Sequence, residues 1–107
     1  MTEPEIRECM VVLNVAPQVE EAVVDWLLAR TGSSGFTSFP VAGHSTRHDR
    51  LSIAEQVAGR QRRVEFQVQM DVASVDGFLA DAASSLGTLG VRYWVFPVWR
   101  AGHLSDE

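Results

Sequence analysis

The run Cys9 to Val15, CMVVLNV, is apolar at both odd and even positions and rich in β-branched side chains. Successive side chains of an extended segment point to opposite sides, so as a strand this run must be covered on both faces. The segment Val91 to Val98, VRYWVFPV, makes the same demand and adds Tyr93, Trp94 and Phe96. Between them, Arg62 to Met70 alternates Val64, Phe66, Val68 and Met70 with Glu65, Gln67 and Gln69, the pattern of a strand buried on one face. Gly35 to Val41 reads as a further strand, with Pro40 at a sheet edge because proline has no N–H to give to a ladder.

Two helices separate these strands. Pro17 suits a first helical turn, Glu20 and Glu21 favour its positive end, and Val19, Ala22, Val23, Trp26 and Leu27 recur at three and four residues up to Arg30. The acids Glu20, Glu21 and Asp25 read as its solvated face rather than as a metal site. Ser74 is placed to cap the second helix, with Val75, Phe78, Leu79, Ala82 and Leu86 on one side, Asp76 and Asp81 on the other, and an end by Gly87. The order β-α-β-β-α-β predicts an α+β, ferredoxin-like fold: a four-stranded antiparallel sheet with two helices on one face. Residues 1–107 then form a single domain, with 1–8 a flexible tail, 42–61 a long polar connection and 99–107 a hydrophilic tail. The first strand still needs cover on its second face, and the fourth carries aromatics that a monomer leaves exposed. The open face and one edge are therefore expected to be buried between subunits.

The connection after Val41 is long for so small a domain, which makes it a functional or a disordered loop. Two of the three histidines and five of the nine arginines lie between Gly35 and Arg63, which favours function. Ser52-Ile53-Ala54-Glu55 has capping-box spacing for one helical turn from Ile53 to Val57, whereas Ala58-Gly59 would instead close a hairpin. Both conformations fit.

The formal net charge is −5, and every positive charge is arginine, which argues against a general nucleic-acid binder. The single Cys9 precludes an internal disulfide and, opening an apolar run, reads as a buried small hydrophobe rather than a reactive thiol. No apolar run is long enough to span a bilayer or to serve as a signal segment, so a cytoplasmic protein without direct membrane insertion is expected. Neither a Ser-His-Asp or Cys-His arrangement nor a G-x-x-x-x-G-K-S/T loop is present, and a binding or purely structural role is expected rather than catalysis.

The stretch GFTSFPVAG, Gly35 to Gly43, resembles the end of the second strand in PII-type signal proteins, where it leads into the long T-loop. Arg63 to Val68 and Val91 to Phe96 resemble the following strand and the last core strand. More closely, GFTSFPVAGH, LSIAEQVAGR, RRVEFQV, RYWVFPV and AGHL resemble the DUF3240 family of proteobacterial proteins, which is grouped with PII-like proteins and often encoded beside heavy-metal efflux pumps. The resemblance implies a homotrimer whose loops project from clefts between subunits, bind a small effector and control a partner, an inner-membrane heavy-metal efflux transporter. Carried over residue by residue, it places Thr37 at a nucleotide-contacting position and Arg92 near a phosphate-contacting one, so an adenine nucleotide is implied. The sequence departs from the PII pattern at Ser85 to Gly90, which has no lysine, and at His103, where those proteins have arginine. The only tyrosine, Tyr93, lies in a strand, so control by uridylylation is not expected.

Two ligand classes suit the remaining residues. Arg60, Arg62 and Arg63 stand where the loop returns to the sheet, and with Gly43 and Arg100 complete a candidate anion or nucleotide set, because planar guanidinium forks match phosphate, carboxylate or bicarbonate. Ion pairing of these arginines with Glu55, Glu65 or a neighbouring subunit is the competing reading. His44 and His48, with His103 as a third ligand, would suit copper, zinc, nickel or cobalt between subunits, against solvated surface histidines as the alternative.

Overall fold

The strand that needed cover on both faces lies in the interior of the sheet. The computed structural model of the chain describes residues 5–31, 35–44 and 60–105. In it β1 (Glu8–Val15), α1 (Glu20–Thr31), β2 (Thr37–Gly43), β3 (Gln61–Asp71), α2 (Val75–Leu86) and β4 (Arg92–Val98) follow in chain order. The sheet runs β2-β3-β1-β4, with every neighbouring pair antiparallel. This is the ferredoxin-like α+β arrangement, with β2 and β4 at the edges. Pro40 therefore sits in an edge strand, paired opposite Val64 on one side alone.

Register assigns each side chain to a face. Val11, Leu13 and Val15 of β1 stand opposite Val68, Phe66 and Val64 of β3. These six join Val23 and Leu27 of α1 and Phe78 and Leu86 of α2 in one buried core. Phe36 tilts against Phe66, ring centroids 6.0 Å apart. Trp26 meets Phe78 edge-on at 5.3 Å, and the guanidinium of Arg30 lies 5.5 Å from the Trp26 ring and 5.4 Å from the Phe78 ring. Arg30 also pairs with Asp81, so one side chain ties α1 to α2 by packing and by charge.

Several local expectations change. Ser74 does not cap α2: it ends a 3-10 turn, Val72–Ser74, in helical backbone geometry, and its side chain makes no capping bond. A residue already wound into a turn lacks the extended geometry that aims an N-cap oxygen at the helix. The N-terminal tail is shorter than expected, because Glu8 pairs within β1 and the Arg7 carbonyl accepts the Val72 N–H at 2.8 Å. Cys9 is only half-buried, at the start of β1, and Ala22 is exposed although it falls on the apolar repeat of α1. β2 ends at Gly43 rather than Val41, since Ala42 and Gly43 continue the ladder opposite Arg62 and Gln61. Gly35 and Gly90 both have positive φ, 73° and 72°, which a side chain would resist as the backbone turns toward β2 and β4. The proposed helical turn or hairpin between Ser52 and Gly59 lies outside the described residues.

Candidate functional site

The sheet face away from the helices carries an ordered polar group. Pairing aligns Phe39, Glu65, Asn14 and Arg92 in one row across all four strands, followed by the row Thr37, Gln67, Val12 and Trp94. Asn14 is 8% exposed and bonded at both ends of its amide. Its Nδ2 donates to Glu65 Oε2 at 3.1 Å, while Arg63 Nε donates to Asn14 Oδ1 at 2.7 Å and Arg63 Nη2 to the Asn14 carbonyl at 3.0 Å. Below this row the β1–β4 half of the face is apolar, with Val12 1% exposed even in the single protomer and Trp94 and Phe96 38% and 43% exposed, while the β2–β3 half carries Thr37, Gln67 and Gln69. Asn14 is the one polar residue in the apolar run Cys9 to Val15. Nothing in its spacing ties it to Glu65 and Arg63 of a distant segment; only the β1–β3 register does.

The residues singled out for ligand binding divide between the two edges of the sheet. Thr37 starts β2 and lines an open, polar depression of about 400 Å³ with Met10, Gly35, Phe36, Gln67 and Gln69. Arg92 starts β4 at the opposite edge, one row further along, exposed. Three strand spacings separate the two edges, about 14 Å, so one protomer does not bring Thr37 and Arg92 into one pocket. Gly43, Arg60, Arg62 and Arg63 do cluster, at the end of the sheet where β2 leaves and β3 enters. A Cβ added at Gly43 would stand 3.4 Å from Cγ of Arg63, so the glycine lies directly against that side chain's stem. Arg63 is engaged with Asn14, which agrees with the expectation of local pairing, although the partner is an amide rather than an acid. Arg100 lies in the exposed segment after β4.

Among the described residues no group of three or more His, Cys, Asp or Glu side chains is placed to hold a metal ion. His44 follows Gly43 at the Gln61 end of β3. His103 follows Val98, which pairs opposite Glu8 at the other end of β1. The chain thus leaves the sheet toward the two histidines at opposite ends, while His48 lies outside the described residues. A second hollow, about 150 Å³ and lined by Leu13, Leu79, Ala82, Leu86, Val91 and Tyr93 among others, sits between α2 and β4 and is apolar. Among the described residues no helix is long and apolar enough to cross a membrane.

Strand order β2-β3-β1-β4 with two helices on one face defines a ferredoxin-like fold. Residues 7–105 match the family described as protein of unknown function (DUF3240), and the chain belongs to that family. The structure is similar to that of a DUF3240 family protein from Shewanella baltica, with TM-score 0.71 and 23% identity over 91% of this chain and 96% of that one. It is also similar to CPII, a nitrogen regulatory PII-like protein from Thiomonas intermedia bound to ADP, AMP and bicarbonate, with TM-score 0.63 and 13% identity over 92% and 97% of the two chains. CutA from Synechococcus elongatus, complexed with Bis-Tris, gives TM-score 0.65 and 10% identity over 92% and 86%. At these identities the likeness is one of fold. No protein of curated function matches the sequence.

Proposed function

We propose that the protein is a PII-like regulator: a homotrimer that binds a small anionic effector, an adenine nucleotide or bicarbonate, in clefts between subunits and passes the signal to a partner. The observation that carries this reading is the division of the candidate ligand residues between the two sheet edges. A pocket that unites Thr37 with the basic residues of another edge has to be built by two copies, and the exposed Trp94 and Phe96 supply an apolar surface for such contact. A PII-like protein of the same fold, bound to ADP, AMP and bicarbonate, supports the choice of ligand class. The effector contacts are assigned to Thr37, Gly43, Arg60 and Arg62 at the β2–β3 edge of one copy and to Arg92 at the β4 edge of the next. The regulator acts by binding rather than catalysis and works in the cytoplasm; an inner-membrane heavy-metal efflux transporter as the controlled partner rests on the family resemblance alone.

Ligands that bind the native state raise its melting temperature. Thermal unfolding with ADP, AMP and bicarbonate, separately and combined, should show stabilisation that Arg60→Ala and Arg62→Ala abolish. An unchanged melting temperature with all three overturns the effector assignment. Calorimetric titration with copper, zinc, nickel and cobalt tests the competing histidine site, which would have to join His44 of one copy to His103 of another; no heat of binding removes it.

A further inference from the structure

We infer that Gln67 selects the base of the effector, favouring adenine over guanine; this rests on the reading that an adenine nucleotide binds at Thr37. Gln67 stands directly opposite Thr37 in the β2–β3 ladder, and both line the depression of about 400 Å³ with Met10, Gly35, Phe36 and Gln69. None of these six residues carries a formal charge. The charges of the same face lie around the depression rather than in it. Glu65 is one row away and bonded to Asn14, and Arg63 is two rows away and turned to the same asparagine. In the other direction Glu8 and Asp71 stand opposite each other two rows from Gln67, while Arg92 lies across the sheet on β4. A depression that offers no cation and is flanked by carboxylates does not suit phosphate or bicarbonate. It suits an uncharged group rich in hydrogen-bonding atoms, and in a nucleotide that group is the base.

The two carboxamides of the depression are not equivalent. Gln69 is engaged, its Nε2 donating to Glu8 Oε1 at 3.3 Å. Gln67 is half-buried, and among the described residues no hydrogen bond joins its side chain to another group. A carboxamide drawn partly out of water and left unpaired keeps both a donor and an acceptor for a ligand. Adenine presents the matching pair, the N7 acceptor beside the N6 amino donor, so one glutamine side chain can make two bonds to it. Guanine presents two acceptors there, O6 and N7, and a carboxamide that bonds one of them sets its own oxygen against the other. The Thr37 hydroxyl both donates and accepts, so it holds either base and distinguishes neither. Discrimination therefore falls to Gln67, with Met10 and Phe36 as apolar walls for the ring.

The test is calorimetric titration of the full chain with ADP and GDP, with circular dichroism to follow the fold. Wild type should bind ADP at least about tenfold more tightly than GDP. Gln67→Leu should bring the two affinities together, and Gln67→Arg, whose forked donors match the two acceptors of guanine, should reverse their order. Gln69→Leu should leave the ratio as it is in wild type. A probe on the ligand side needs no variant: 7-deaza-ADP, which lacks the N7 acceptor, should bind wild type about tenfold more weakly than ADP. Wild-type chain that binds neither ADP, AMP nor bicarbonate overturns both this inference and the effector reading. Binding of bicarbonate without nucleotide overturns the inference alone. So does equal affinity of wild type for ADP and GDP, undiminished binding of 7-deaza-ADP, or a preference that survives in folded Gln67→Leu or is moved by Gln69→Leu instead.

Discussion

Asn14 is the residue on which the open face turns. It is almost fully buried in a single protomer, yet its amide satisfies Arg63 on one side and Glu65 on the other. Truncating it removes the partner of two charged groups at once, and a polar group stranded without its partner costs more than the bond was worth. Asn14→Ala should therefore destabilise the protein by about 1–3 kcal/mol, read as a lowered urea midpoint at fixed protein concentration. Phe66 makes a contrast of mechanism. It is fully buried between the helices and β1 and packs against Phe36, so Phe66→Ala leaves a cavity and should cost about 3–5 kcal/mol. If Asn14→Ala proved as harmless as an exposed substitution, the three-residue group would have no structural weight.

At the scale of elements, α1 and α2 meet at Arg30, where two effects compete. The ion pair with Asp81 is solvent-facing, with side-chain exposures of 35% and 58%, and such pairs contribute under about 1 kcal/mol. Stacking on Trp26 and Phe78 places the guanidinium over two rings and is less sensitive to salt. Arg30→Ala should thus cost about 1 kcal/mol, with Asp81→Asn costing less than half of that; equal losses, erased together by high salt, would assign the whole effect to charge. The elements themselves were legible because their signals are local: alternation marked β3, and apolar residues on both faces marked β1 as a strand covered on both sides. What the sequence hid is what register decides. Ser74 carried an N-cap signature, but the chain winds into a 3-10 turn before α2, and the turn leaves no extended residue to cap from. Asn14, Glu65 and Arg63 form one group only because β1 pairs with β3 in the observed register. Resemblance assigns Thr37 and Arg92 to a site in clefts between subunits, and strand order shows that within one protomer they lie at opposite edges.

For the whole molecule, the question is what the exposed aromatics of β4 do. Trp94 and Phe96 lie outside the buried core and are 38% and 43% exposed, with Trp94 paired opposite the buried Val12, so in a lone protomer their replacement by serine loses only the partial burial they already have. In an assembly the same side chains would be covered, and association would then stabilise the native state by mass action. The size of the effect should consequently depend on concentration. A Trp94→Ser, Phe96→Ser double variant should melt below the wild type by a limited margin in dilute solution and fall progressively further behind it as protein concentration rises. The wild-type melting temperature should itself climb with concentration, whereas that of the variant stays flat. Parallel, concentration-independent melting of both proteins would mean that the face is not covered by another copy, and the aromatics would then have to serve a different partner.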